Sequence, residues 1–178
     1  MQKTQAMSLD DFKKFVLLPE NEDRLFELID GEVIEVMPGR VSNSQIHDII
    51  TASVRPFCKM HKIPCCTSSA DGAYQVGSKV VAPDFAYRRI PPTGDYPEPE
   101  PPLWAVEIIS PTDEVGNIRK KRNIYREAGI LLWEIYPEDF LVHVYAPNQS
   151  LTLARMGEVI SLGDVIPGFS IAVADLFE

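Results

Sequence analysis

Leu103-Trp104-Ala105-Val106-Glu107-Ile108-Ile109-Ser110-Pro111 is a short apolar run of β-branched and aromatic residues closed on both sides by proline. That pattern reads as a buried strand, and it carries one carboxylate in its middle. A charged, unpaired glutamate inside a sheet would cost several kcal/mol, so Glu107 needs a cation, a metal or a proton. Alternation places Trp104, Val106 and Ile108 on one face and Ala105, Glu107 and Ile109 on the other. The small Ala105 leaves room beside the carboxylate.

Working outward, two flanking segments repeat the anomaly. Upstream, Lys79-Val80-Val81-Ala82-Pro83-Asp84-Phe85-Ala86-Tyr87-Arg88 is a second apolar strand with a single carboxylate, Asp84, among small neighbours, and Pro83 marks an edge, a bulge or a strand start. Downstream, Thr112 or Asp113 can cap a helix with apolar positions Val115, Ile118, Tyr125 and Ala128, closed by Gly129. Lys121 lies three residues after Ile118 and four before Tyr125, so it shares the inward stripe. A lysine there, on the helix that follows Glu107, calls for a partner inside.

The remaining segments supply the frame. Ser8-Leu9-Asp10-Asp11 opens an amphipathic helix ending before Pro19. Arg24–Ile29 and Glu32–Met37 alternate around Asp30-Gly31, a strong hairpin signal. Ile46, Ile49, Ile50, Val54 and Phe57 recur at helical spacing from Ser42 or Ser44 to about Met60, with His47 early in that helix and Pro56 near its end. Ile63–Thr67 reads as a short strand, Ser68–Ser78 as loop with a strand at Ala73–Val76, and Ile90–Pro102 as a proline-rich acidic surface excursion. Ile130–Tyr136 and Phe140–Tyr145 are two more strands, and Leu151–Arg155 with Val159–Leu162 suggest a hairpin through Met156-Gly157-Glu158. Strands outnumber helices and mix with them. The fold class is α/β (α+β), one domain over residues 1–178 built on a mixed sheet flanked by helices, with an N-terminal hairpin.

Composition narrows the function. No stretch approaches the roughly 20 apolar residues that span a bilayer, so no membrane partner is expected. The N-terminus lacks the apolar core of a secretory signal, which predicts a cytoplasmic protein. Cys58, Cys65 and Cys66 are an odd count without a zinc or disulfide pattern and read as reduced thiols. A formal net charge of -9 argues against a nonspecific nucleic-acid coat, yet it suits a chain that clusters carboxylates around a divalent cation.

Asp84, Glu107 and Lys121 form a set: two carboxylates on buried strands and an inward lysine. Such carboxylates suit Mg²⁺ or Mn²⁺, and a lysine beside them can orient a water and offset charge at a phosphate. A plain Glu107–Lys121 ion pair explains two of the three without catalysis. The order Pro83-Asp84, Glu107 in a strand, then lysine resembles the PD-(D/E)XK nucleases, the restriction-endonuclease-like superfamily, and within it the bacterial Uma-two endonuclease family. The resemblance is carried by Phe26–Glu32, His47, Ala82-Pro83-Asp84, Val106–Pro111, Lys121-x-x-x-Tyr125-x-x-Ala128-Gly129 and Leu132–Ile135. It implies a restriction-endonuclease-like core and a Mg²⁺- or Mn²⁺-dependent endonuclease acting on nucleic acid, DNA in the first instance, with Asp84 and Glu107 as metal ligands. Glu27 and His47 match further family positions, and family members can form a homodimer. The third position of the Glu-x-Lys motif is Ile109 here, and Lys121 on the next helix takes the lysine's place.

Three readings compete. In the first, Lys121 assists a water that attacks phosphorus, with Arg88, Arg89, Arg119, Lys120 and Arg122 as candidates for backbone contacts. In the second, a catalytically silent nuclease-like scaffold serves as a binding or assembly module. In the third, Glu107–Lys121 is a structural pair in an unrelated domain, and Asp84 lies far from Glu107.

Overall fold

The computed structural model describes residues 6–178. It opens with α1 (Leu9–Val16), whose N-cap Ser8 accepts from the Asp11 N–H. The hairpin joins β1 (Phe26–Ile29) to β2 (Glu32–Glu35), and both turn residues have positive φ, 52° at Asp30 and 79° at Gly31, as a two-residue type I′ turn requires. Gly31 is doubly constrained, because a Cβ there would also collide with Ala6. Then comes α2 (Val41–His61), which buries Ile46, Ile50, Val54 and Cys58, one residue in every four.

Five strands follow: β3 (Cys66–Ser69), β4 (Tyr74–Val76), β5 (Lys79–Val81), β6 (Phe85–Arg88) and β7 (Trp104–Ile108). Beyond them lie α3 (Val115–Glu127), β8 (Leu131–Tyr136), β9 (Leu141–Tyr145), β10 (Thr152–Arg155), β11 (Val159–Ser161) and β12 (Ser170–Ala172). A six-stranded sheet has the order β10-β9-β8-β7-β6-β3 and a four-stranded sheet the order β2-β1-β5-β4, while β11 and β12 pair separately. Within the larger sheet only β7 and β8 run parallel. That connection needs a crossover, and α3 supplies it.

The two faces of β7 behave as alternation requires. Trp104, Val106 and Ile108 pack with α2 and with Ile160, Ile166 and Phe169 of the C-terminal segment. Ala105 faces the other way, with Leu132 and Tyr145, against Ile124 and Tyr125 of α3 and Ile29 and Val81 of the smaller sheet. Glu107 therefore points into the space between the six-stranded sheet, α3 and the hairpin.

Several local expectations are corrected. The run Lys79–Arg88 is not one strand, because Ala82-Pro83-Asp84 steps from β5 in the smaller sheet to β6 in the larger one; Pro83 has no N–H to continue a ladder. The predicted strand at Ile63–Thr67 begins only at Cys66, and the segment read as loop supplies Ser68 and Ser69 to it. The expected hairpin between 151–155 and 159–162 does not form: β10 extends the large sheet beside β9, and β11 pairs with β12. Neither Thr112 nor Asp113 caps α3; its N-cap is Glu114, and the Asp113 carboxylate instead accepts from the Ser110 N–H at 2.7 Å. Val115 is 79% exposed, so the inward stripe of α3 runs through Ile118, Lys121, Ile124 and Tyr125 rather than through Val115 and Ala128.

Candidate active site

Continuing the β6–β7 register, in which Phe85 faces Val106, places Asp84 opposite Glu107. Asp84 has left the ladder at that point, and its Oδ2 accepts from the Ile108 N–H at 2.6 Å. A side-chain oxygen thus takes the place of a backbone carbonyl at this strand N–H. From α3, Lys121 Nζ donates to Glu107 Oε2 at 2.7 Å and to the Ala82 carbonyl at 3.3 Å. It also lies 2.9 Å from Glu27 Oε1. Two of its hydrogen bonds thus go to Glu107 and the Ala82 backbone, with Glu27 at ion-pair distance. One turn later on the same helix, Tyr125 donates its hydroxyl to Glu107 Oε1 at 2.6 Å.

Glu27 arrives from the hairpin. Phe26 and Leu28 pack with α1, and alternation turns Glu27 and Ile29 toward α3. There Glu27 Oε1 accepts from the Ala82 N–H at 2.8 Å, so it holds both the lysine and the segment that delivers Asp84. The signal for an inward Glu27 was Ile29, an apolar residue on the same side of the strand. His47 is placed differently. Its ring nitrogens engage Asp48 and Thr51 of its own helix, and its ring lies 5.8 Å from that of Phe85. The structure thus brings together Glu27, Asp84, Glu107 and Lys121, while the hydrogen bonds of His47 lead elsewhere. The requirement of the structural-pair reading, Asp84 far from Glu107, is not met.

Three carboxyl groups face one ammonium, and the electrostatics follow. Burial pushes the Glu107 carboxyl up to about 8, with Asp84 and Glu27 adding to the rise and Lys121 opposing it. Burial also raises Asp84, against the Ile108 N–H and the Lys121 charge. For Lys121 burial works against the charge, yet Glu107 and Glu27 hold its pKa above the ordinary lysine value, so it stays protonated. The cluster is short of positive charge.

A second buried carboxylate sits one strand away. Glu134 on β8 is the register partner of Glu107 and is almost wholly buried. Arg122 grips it with two parallel bonds, Nε to Oε1 at 2.7 Å and Nη2 to Oε2 at 2.8 Å, and the Tyr136 hydroxyl donates to Oε2 at 2.9 Å. The sequence reading missed this pair, although a lone carboxylate in the apolar run Leu131–Tyr136 is the signal that singled out Glu107. Arg88, a candidate for substrate contacts, is inside as well, 2.8 Å from buried Glu98. Arg89 donates to the carbonyls of Asp164 and Val165.

Residues 12–174 match the sequence model of the Uma2 family, described as "Putative restriction endonuclease". The chain belongs to the Uma2 family. Among solved structures, a "putative nuclease belonging to DUF820" from Anabaena variabilis superposes with a TM-score of 0.81. It is 23% identical, and the match covers 96% of this chain and 97% of that one. The similarity establishes a shared fold. No curated protein matches the chain by sequence.

A divalent cation is the cofactor that Uma2 membership brings into question. Among the described residues no group of three or more His, Cys, Asp or Glu side chains is spaced to hold a metal. Mg²⁺ is commonly held by only one or two carboxylates, with water and substrate phosphate completing its shell. Asp84 commits only Oδ2, and to a backbone N–H, while Glu107 keeps further lone pairs on both oxygens. This hard-oxygen pair, raised in pKa and short of cations, fits a Mg²⁺ or Mn²⁺ ion. Among the described residues, no helix is long and apolar enough to cross a membrane.

Proposed function

We propose that this Uma2 protein hydrolyses phosphodiester bonds in nucleic acid, with DNA as its substrate, at the Asp84–Glu107–Lys121 cluster. The observation that carries the reading is the convergence of two opposed carboxylates and a charged lysine from three separate elements in one cation-poor space. Asp84 and Glu107 would hold Mg²⁺ or Mn²⁺, which when bound supplies Lewis-acid stabilisation of charge on the phosphoryl oxygens.

The chain's own residues do the rest. Tyr125 and Lys121 fix the two oxygens of Glu107, so the carboxylate is oriented before substrate arrives. Glu27 is a positioning residue: it anchors the ammonium and the Ala82 backbone together. The longer of the two Lys121 hydrogen bonds, at 3.3 Å to the Ala82 carbonyl, is the one an attacking water can take over. Lys121 then aims that water at phosphorus and offsets the charge that grows on the phosphoryl oxygens next to it. Water adds to phosphorus as the P–O ester bond breaks, and the proton lost by the water passes to solvent or to the alkoxide.

The test is cleavage of supercoiled and single-stranded DNA by the wild type and by Lys121→Ala and Asp84→Asn, with Mg²⁺ or Mn²⁺ and with EDTA. Metal-dependent cutting lost in both variants supports the proposal. Absence of cutting by folded wild-type protein favours the silent scaffold, the reading to which the acidic charge balance, the proline-rich acidic excursion and the displaced lysine lean.

A further inference from the structure

The face that bears the carboxylates does not end with them. The registers place Glu107, Glu134, His143 and Leu153 in one row across four strands, and Asp84, just before β6, lies in line with it. α3 covers the near part of this face, and past it the face is only half-buried at Tyr136 and His143 and exposed at Leu153. Along β9 and the end of β8 three rings follow one another: Tyr136 to His143 at 4.6 Å between centroids, and His143 to Tyr145 at 6.3 Å. Arg122 and Arg126 lie over the Tyr145 ring at 5.1 and 5.6 Å. Beside Tyr145 and Arg126 opens a cavity of about 220 Å³, also lined by the amide-bearing Asn148 and Gln149.

The geometry points to this strip as a binding track for a single strand of nucleic acid running to or from the Asp84–Glu107 cluster. The inference rests on the nuclease reading for the identity of the ligand. Two features favour a polynucleotide as occupant. The strip is continuous with the carboxylate row, since Glu134 is the neighbour of Glu107 and strands lie about 4.8 Å apart. It also sets the half-buried Tyr136 and His143 rings near the exposed Arg126 guanidinium, a pairing that lets bases stack while a phosphate is neutralised, independent of sequence.

The buried groups beneath serve this surface. Glu134 spends its charge on Arg122 and accepts from Tyr136, so it fixes the planes of both side chains and presents no free negative charge to a phosphate. Burial, together with the Arg122 and Arg155 charges, holds the His143 imidazole below its ordinary value against the pull of Glu134, which leaves a neutral ring for stacking at pH 7. A duplex would bury its base faces and gain little from such rings. The track therefore predicts preference for single strands or for frayed ends.

The test separates binding from cleavage. Asp84→Asn protein, with EDTA present, is titrated against a fluorescent oligothymidylate and a duplex of equal length, by anisotropy. The oligothymidylate binds more tightly, and adding Tyr136→Leu and His143→Leu weakens it by about tenfold or more, the scale of lost base stacking. Tyr136→Phe retains most of the affinity. Arg126→Glu, at an exposed position where refolding is not at issue, also weakens binding and lowers its salt dependence. In the active chain the leucine variants raise KM for single-stranded DNA more than they lower kcat. No binding of the oligothymidylate, tighter binding of the duplex, or equal affinity in wild type and Arg126→Glu would overturn the track. Track-dependent binding without cleavage would overturn the hydrolase proposal alone, and cleavage indifferent to these substitutions would overturn the track alone.

Discussion

Glu107 and Glu134 are neighbours in one register row, both held by a cation from α3, and they differ in one respect. Glu134 meets a guanidinium in a two-bond fork, one negative charge against one positive, with a tyrosine hydroxyl filling a remaining lone pair. Glu107 shares its ammonium with Glu27 and lies opposite Asp84, so three carboxyl groups draw on one cation. The first group is complete in itself. The second is complete only with a proton or a further cation. Two buried acids in the same sheet thus acquire opposite roles, one structural and one receptive, from the number of partners around them.

The sharpest way to break the contrast is to remove an acid from each group. Asp84→Asn or Glu107→Gln leaves the fold intact, or slightly more stable through relief of carboxylate repulsion. DNA cleavage falls by about a hundredfold or more, the scale on which loss of one charge-positioning group is felt. Measured with the thermal midpoint, this separates activity from folding. Glu134→Ala does the reverse. It strands the Arg122 charge and lowers stability by about 3 kcal/mol in urea unfolding, the low end for a broken buried pair because Arg122 is partly open to water.

Tyr125→Phe is a finer probe, deleting the 2.6 Å bond to Glu107 Oε1 without changing shape. It costs about 1 kcal/mol of stability. A positioning role further predicts that the pH profile of cleavage shifts while KM for DNA does not. A further probe is the pH dependence of the metal-free protein. Because Glu107 is raised to about 8 when folded, the native state binds more protons than the unfolded chain from the ordinary glutamate range up to that value. Stability therefore declines as pH rises through this window. Glu107→Gln flattens the slope, as equilibrium unfolding at several pH values will show.

Much of this was legible in the sequence, and the reasons are local. Asp30-Gly31 fixes the hairpin because both turn positions need positive φ. Glu107 announces itself as a charge in an apolar run, and Lys121 as a charge on the apolar stripe of α3. The parts that escaped depend on distant chain. That Ala82-Pro83-Asp84 crosses between two sheets cannot be read from a run that looks like one strand. Likewise β10 and β11 flank an inviting turn yet find partners elsewhere, β11 with a strand that begins only at Ser170. Glu27 was singled out, but its reach to Lys121 depends on the hairpin packing over α3, which no alternation pattern specifies.

The most direct measurement is calorimetric titration of Mg²⁺ and Mn²⁺ into the wild type, Asp84→Asn and Glu134→Gln at pH 8. Binding in the wild type that is retained by Glu134→Gln and lost in Asp84→Asn is the predicted result. Binding unaffected by Asp84→Asn, or no binding by the folded wild type, would contradict the view that the cation-poor cluster around Glu107 is built to receive a metal.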